Sequence, residues 1–407
     1  MIYQPPAGAR DLLPLDVAQK CWIEDRLQQV FHRWGYGRII TSTLERLDTL
    51  MAGGAIDQST VIQLQPLNEE PLGLRPELTA SIARTAVTRM VDGAFPQRLY
   101  YNANVFRRAL EGSHTRQQEF YQAGVELLGG GGLLADAEIL LLLIDSLNSL
   151  EIPQPWHLIL GEAGLTRSLL SIFPDSLRPR VRHAIAHLDR IALETMPMSE
   201  ELRDRAFLLM DLRGKPADVL QRTSAIVLDK TQRETVNNLK SLIELLQDTL
   251  QHELPIVLDL SLIRTFDYYT GIVFEVVSET PSCHTVIAQG GRYDQLLGQF
   301  HPQGESIPGI GFTLAIEEVH QVLMSIDQLP KQAPSSDWLV VSETEKTHAI
   351  AFAHAQQLRE TDPRLRVELE LSGFDPDAIR EYARQRRIAR IAWISSTESP
   401  MTETVRA

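Results

Sequence analysis

Residues 106–129, FRRALEGSHTRQQEFYQAGVELLG, constrain the fold more than any other stretch. The segment opens on Phe106-Arg107, crosses a polar loop containing Gly112, and returns through residues 119–128, where aromatic and branched apolar residues alternate with polar ones as in a strand. Side chains of a strand point alternately to its two faces. Tyr121, Ala123, Val125 and Leu127 therefore share a face suited to a core. Gln122, Gly124 and Glu126 share the other, where an amide, a gap and a carboxylate stand in a row. Such a stripe forms either the polar side of an edge strand meeting water or the floor of a small-molecule pocket. On these residues alone the edge strand is the simpler reading.

The 407 residues suffice for two or three domains, each with its own core. A formal charge of −14 argues against a surface built to hold a polyanion, because nucleic-acid affinity comes largely from Lys and Arg on phosphates. Cys21 and Cys283 are the only cysteines, so neither a disulfide framework nor a cysteine zinc site is indicated, and a cytoplasmic, reducing location is expected. The opening residues lack a signal-peptide pattern, and no run of about 18 apolar residues suggests a membrane span.

Along the chain, Ile23, Leu27, Val30, Phe31 and Trp34 recur at helical spacing, predicting a helix over 14–34 that ends at Gly35-Tyr36-Gly37. A second helix follows Pro76 and runs through Met90, with Pro76 in its first turn. Gly129 to Gly132 lack the Gly-Lys-Ser/Thr of a phosphate loop and read as a turn before a helix over 136–150, capped by Asp136. Residues 165–251 read as an inserted helical subdomain. Its His183 and His187 share a helix face, but no third metal ligand is apparent, so no metal is expected. Strands are expected near 256–262, 264–277 and 286–288, and 308–312 opens a helix ending near 326. A Pro/Ser-containing linker over 326–336 leads to a βαβαβ pattern in 337–407, a small α/β unit. Five arginines between Arg380 and Arg390 mark its second helix, most simply a solvated face.

In this order the segments resemble a class II histidyl-tRNA synthetase over residues 5–325. Gly8-Ala9-Arg10-Asp11-Leu12-Leu13-Pro14 is similar to the family's N-terminal signature. Residues 34–45 are similar to class II motif 1, with Ser42 in place of its proline, and residues 106–129 are similar to motif 2. Residues 262–275 and 289–294 resemble the two segments peculiar to the histidine enzymes, and 308–319 resembles motif 3. The resemblance implies an α+β fold: an antiparallel sheet flanked by helices over 1–325, with the helical insertion, and an anticodon-domain-like unit that stops early. It also implies a histidine pocket. Glu77 and Thr79 would hold the α-amino group, Gln122 the amino-acid moiety and Glu126 the imidazole. Tyr268, Tyr269 and Tyr293 would line the ring's slot, and Arg264 would meet the carboxylate. These partners complement histidine's ammonium, carboxylate and ring donor. With the resemblance in view, a binding face on Gln122 and Glu126 is the better reading of the stripe.

The phosphate side departs from the family. Arg107 matches motif 2's phosphate arginine, but Ala109 replaces its acid, and motif 3 ends Ala315-Ile316-Glu317-Glu318 where Gly-x-Glu-Arg belongs. At an effective dielectric near 20, unit charges about 4 Å apart interact by roughly 4 kcal/mol. Exchanging the arginine for Glu318 thus turns a large attraction into repulsion. A chain of this kind resembles the synthetase paralogues that serve as regulatory subunits of ATP phosphoribosyltransferase. The resemblance implies no catalysis of its own, no cofactor, and a short-form catalytic subunit as partner in the first step of histidine biosynthesis. It further implies histidine as feedback effector and a homodimer within a larger hetero-oligomer. A working, divergent synthetase is the alternative, and a stand-alone histidine sensor or RNA-binding module is a third.

Overall fold

A computed structural model describes residues 4–52, 56, 58–64, 70–91, 93–108, 117–224, 226, 228–250, 253–262, 268–280, 283–395 and 400–405. The chain forms two compact units, Met1–Leu12 with Gln19–Leu329, and Leu13–Ala18 with Pro330–Ala407.

The larger unit is built on one nine-stranded sheet. Its strands lie in the order Gly37–Arg38, Gln97–Phe106, Glu119–Leu128, Gly309–Ala315, Cys283–Arg292, Ile272–Thr280, Trp156–Glu162, Ile256–Asp259 and Arg213–Gly214. The six strands from Gln97–Phe106 to Trp156–Glu162 are antiparallel throughout. Parallel pairings occur only towards the flanks, where Gly37–Arg38 joins Gln97–Phe106 and Ile256–Asp259 joins Trp156–Glu162. Strand Glu119–Leu128 is thus internal, hydrogen-bonded on both sides. An edge meeting water is overturned as the reading of its polar stripe.

The alternation of this strand sorts the two faces of the sheet. Ala123, Val125 and Leu127 enter the main core with Ile23, Leu27, Val30 and Phe31 of helix Pro14–Arg33 and with Ile139, Leu140 and Leu143 of helix Gly132–Ser149. The opposite face packs a smaller core of Leu78, Ile82, Ala86, Tyr101, Val105, Tyr269 and Tyr293, covered by helix Thr79–Arg89. That second face carries the polar stripe. Residues of the helical insertion, among them Leu209, Val219, Leu239 and Leu246, belong to the main core rather than to a separate one. Six helices, Ala163–Leu170, Arg178–Ala186, Arg190–Thr195, Glu200–Met210, Pro216–Ser224 and Lys230–Leu250, fill this region, with strand Arg213–Gly214 attached to the sheet.

Several local expectations change. Helix Gly132–Ser149 begins at a glycine with φ +73°, one turn before Asp136. Asp136 therefore caps nothing; its carboxylate accepts from Arg292 Nε at 2.8 Å. Helix Thr79–Arg89 begins beyond Pro76. Residues 309–315 form a strand rather than the start of a helix, which follows at Ile316–Ser325, and the strand expected at 286–288 runs the full length of Cys283–Arg292. Glycines weaken a strand on propensity grounds, so Gly290, Gly291, Gly309 and Gly311 masked both strands.

The smaller unit has strands Val367–Leu369, Trp338–Ser342, Arg390–Ile394 and Met401–Thr404, in that order. The first three pair in parallel and the last is antiparallel. This fourth strand was not expected. Glu403 on it accepts from Arg380 Nε at 2.8 Å and from Trp393 Nε1 at 3.0 Å. Helix His348–Thr361 buries Ala351 and Ala355 against Val340, Ala392 and Ile394, and helix Pro376–Arg386 buries Ile379 and Ala383 on the other face. The arginines of this stretch are engaged locally: on the helix Arg384 pairs with Glu381 and Arg386 with Glu368, and Arg390, which opens strand Arg390–Ile394 instead of belonging to the helix, lies over the Trp338 ring. Among the described residues no helix is long and apolar enough to cross a membrane.

Candidate functional site

The second face of the large sheet opens into a cleft of about 400 Å³, counted to its mouth. Glu77, Thr79, Arg107, Gln122, Glu126, Tyr268, Tyr269 and Tyr293 all line it. Four segments distant in sequence are thereby gathered at one place. Arg264 and Ala109 lie outside the described residues.

Glu77 sits just before helix Thr79–Arg89, where the first N–H groups of a helix have no partner within it. Its carboxylate accepts from Thr79 N at 2.6 Å and Ala80 N at 2.9 Å, and the positive end of the helix dipole favours a negative charge there. Glu126, on the internal strand, is 1% exposed. The Thr79 hydroxyl donates to its Oε1 at 2.7 Å, and the Tyr293 hydroxyl donates to its Oε2. Gln122, two steps along the same face beyond Gly124, is also buried. Tyr268 stands between the other two tyrosines, 4.7 Å from Tyr269 and 5.8 Å from Tyr293 between ring centroids, edge-on to the latter. Arg107 donates from Nε to Pro76 O at 2.9 Å.

Burial dominates the electrostatics. It pushes the Glu126 carboxyl up to about 8, against the opposing pull of the Tyr293 and Thr79 hydroxyls, and Glu77 raises it further. Burial also raises Glu77, while the Ala80 and Thr79 amides and the Arg107 charge hold it back. The phenols of Tyr101, Tyr268 and Tyr293 are driven far above their ordinary range by desolvation, so they remain neutral donors. Two sequestered acids facing one guanidinium favour a ligand that brings its own positive charge and N–H donors.

Tyr101, Gln289, Gly290, Gly311, Phe312 and Thr313 complete the lining and were not singled out from the sequence. Closely spaced glycines within strands were the available signal, since an interior strand glycine often marks a close approach.

The motif 3 acids have a different setting. Glu317 accepts from Tyr121 N at 2.9 Å, tying helix Ile316–Ser325 to the internal strand. Glu318 lies in the first turn of the same helix, and partial burial raises its carboxyl. In motif 1, Glu45 is buried and pairs with Arg84 at 2.7 Å. The stacked His183 and His187 belong to no cluster of three metal-ligating side chains among the described residues.

A family model described as histidyl-tRNA synthetase matches residues 8–319. The ATP phosphoribosyltransferase regulatory subunit of Nostoc punctiforme is 65% identical over 406 residues, covering all of both chains. The chain belongs to that family of regulatory subunits. The same-named protein of Gloeothece citriformis is 60% identical over 408 residues, again over the whole of both chains. Among solved structures, an ATP phosphoribosyltransferase regulatory subunit/histidyl-tRNA synthetase from Bacillus halodurans superposes with a TM-score of 0.81 at 26% identity, covering 98% of this chain and 100% of that one. The histidyl-tRNA synthetase of Nostoc sp. PCC 7120 shares the fold at a TM-score of 0.77 and 22% identity, covering 96% and 91%. The α+β, class II synthetase-like architecture expected from the sequence is thus the family's architecture. Identity to the regulatory subunits, far above that to the synthetase structure, disfavours the working-synthetase alternative.

Proposed function

We propose that this chain is the non-catalytic regulatory subunit of an ATP phosphoribosyltransferase, and that free histidine in the cleft is its effector. The observation that carries the effector reading is the convergence of Glu77, Thr79, Gln122, Glu126 and Tyr293 on one cleft, in a chain whose sequence has Glu318 where motif 3 has its arginine. Histidine's ammonium meets Glu77 and the Thr79 hydroxyl, its ring N–H meets Glu126, and its carboxylate faces Arg107, with Arg264 a further partner that the family resemblance implies. Tyr268, Tyr269 and Tyr293 flank the ring. Among the described residues lining the cleft Arg107 is the one cation, and motif 3's arginine is Glu318 in the sequence, so the amino acid binds without being activated. The partner is a short-form catalytic subunit carrying out the first step of histidine biosynthesis, and the chain works as a homodimer within that hetero-oligomer in the cytoplasm.

Feedback then follows from linkage. Histidine shifts the assembly towards low transferase activity by binding that state more tightly than the active one. The test is to mix the protein with a short transferase subunit and measure activity against histidine, with calorimetric titration of histidine into the chain alone and into the complex. The expected result is histidine-sensitive transferase activity and unequal affinities. Equal affinities in the active and inhibited assemblies refute the mechanism, and histidine-dependent exchange of pyrophosphate into ATP refutes the non-catalytic assignment.

A further inference from the structure

We infer that Gly309 and Gly311 form a side-chain-free shelf that positions Glu126, through Tyr293, for the ring N–H of the ligand, making both glycines specificity determinants. The inference rests on the reading of the cleft as a histidine site. Glycine in the interior of a strand costs conformational entropy and leaves a gap in packing, so it calls for a local reason. Left-handed backbone is not that reason, since neither residue has a positive φ. Space is. The two glycines are two residues apart and so present the same face, while Ile310 between them is buried in the main core behind. A Cβ at position 311 would overlap both Glu126 Oε2 and the Val125 carbonyl oxygen of the paired strand, and would lie 2.8 Å from Glu126 Cδ. One at position 309 would overlap the Tyr293 ring at Cε2 and lie 2.9 Å from its Cδ2.

The carboxylate thus lies on Gly311 and the phenol ring on Gly309, and the phenol hydroxyl joins the two by donating to Oε2. Thr79 holds the other oxygen from the helix side. Register makes the arrangement rigid, because Gly311 pairs directly with Glu126 across the strands. The groups facing Glu126 include Thr79 and Glu77 from the helix side, Tyr101 from the paired strand, Tyr268 and Tyr293, with bare backbone beneath. A side chain at position 311 therefore has to displace the Glu126 carboxylate or the strand backbone beneath it, and one at position 309 has to displace the Tyr293 ring, whereas neither meets Glu77.

The experiment titrates the full-length chain calorimetrically with L-histidine and with β-(2-thienyl)-L-alanine, which keeps the amino-acid end and a five-membered ring but has no ring N–H. Loss of one charged hydrogen bond corresponds to roughly a 10- to 100-fold preference for histidine in the wild type. Gly311→Ala is expected to shrink that preference to within about threefold while thienylalanine affinity stays within about threefold, a split that general destabilisation does not produce. Should Gly311→Ala fail to fold, Tyr293→Phe keeps the ring on Gly309 and removes only the hydroxyl, and is expected to narrow the preference by roughly 5- to 10-fold. A folded variant that keeps the whole preference overturns the shelf while leaving the histidine reading intact. A wild type that binds neither compound overturns the histidine reading and the shelf with it.

Discussion

Replacing Glu126 by its neutral isostere separates the electrostatic cost of the cleft from its shape. In the folded chain burial places the Glu126 carboxyl at about 8, against an ordinary value of 4.5. The group is an acid whose folded value is raised, so the folded state binds its proton more tightly than the unfolded chain does. Stability is therefore full below pH 4.5 and is lost progressively as the pH rises to about 8, levelling off above that. Applied to these two values, linkage gives a cost of about 1 kcal/mol at pH 5, about 3 kcal/mol at pH 7 and nearly 5 kcal/mol at pH 9. Glu126→Gln does not titrate. It gives up part of its hydrogen bonding to Thr79 and Tyr293, a pH-independent loss of about 1 kcal/mol. The variant should thus be close to wild type at pH 5 and clearly more stable at pH 9, the gap opening by about 4 kcal/mol. Urea unfolding of both proteins at equal concentration and at each pH measures it, and titrating groups that do not interact with Glu126 cancel in the difference. A gap that stays constant within about 1 kcal/mol refutes the claim that Glu126 is held as a costly buried acid.

Further outcomes follow from named contacts. Glu126→Ala should weaken histidine binding by about 1–3 kcal/mol in calorimetry, through loss of a charged hydrogen bond; an unchanged dissociation constant counts against the site. Asp136→Asn leaves the buried Arg292 guanidinium without its principal counter-charge, whose burial otherwise disfavours the cation, and should cost about 3–5 kcal/mol in unfolding free energy. In the smaller unit, Asp375 caps helix Pro376–Arg386 by accepting from Asp377 N and Ala378 N, both at 3.0 Å. Asp375→Ala should cost about 1 kcal/mol, read as a lower urea midpoint for that unit.

How much could be read in advance depends on where periodicity was clean. Helix Pro14–Arg33 was legible because Ile23, Leu27, Val30 and Phe31 fall on one stripe. The two faces of Glu119–Leu128 were legible because Tyr121, Ala123, Val125 and Leu127 alternate with Gln122, Gly124 and Glu126 in its centre. What the stripe faced was not, since the strand's second neighbour, Gly309–Ala315, and the tyrosines across the cleft come from far along the chain and such pairing leaves no local mark. The strands Cys283–Arg292 and Gly309–Ala315 were misjudged for the same reason that they matter: their glycines erase the propensity signal while making room for Glu126, Tyr293 and the Phe274 ring. Asp136 illustrates a different limit. Its sequence neighbourhood suits a cap, but a buried arginine more than 150 residues away takes the carboxylate instead.

On the proposed reading, the cost that Glu126 imposes on the empty chain is also what makes histidine a usable signal. A ligand that delivers an ammonium and a ring N–H to Glu77 and Glu126 relieves acids that the fold has stripped of water, so occupancy tightens the cleft rather than merely filling it. Relief that differs between the active and inhibited assemblies is the differential interaction that linkage between two sites requires. The acids that create this coupling also repel a triphosphate. Losing the phosphate cations and keeping the amino-acid acids are therefore physically one change: both lower the potential of the cleft, which favours a cationic effector and disfavours the nucleotide that would consume it.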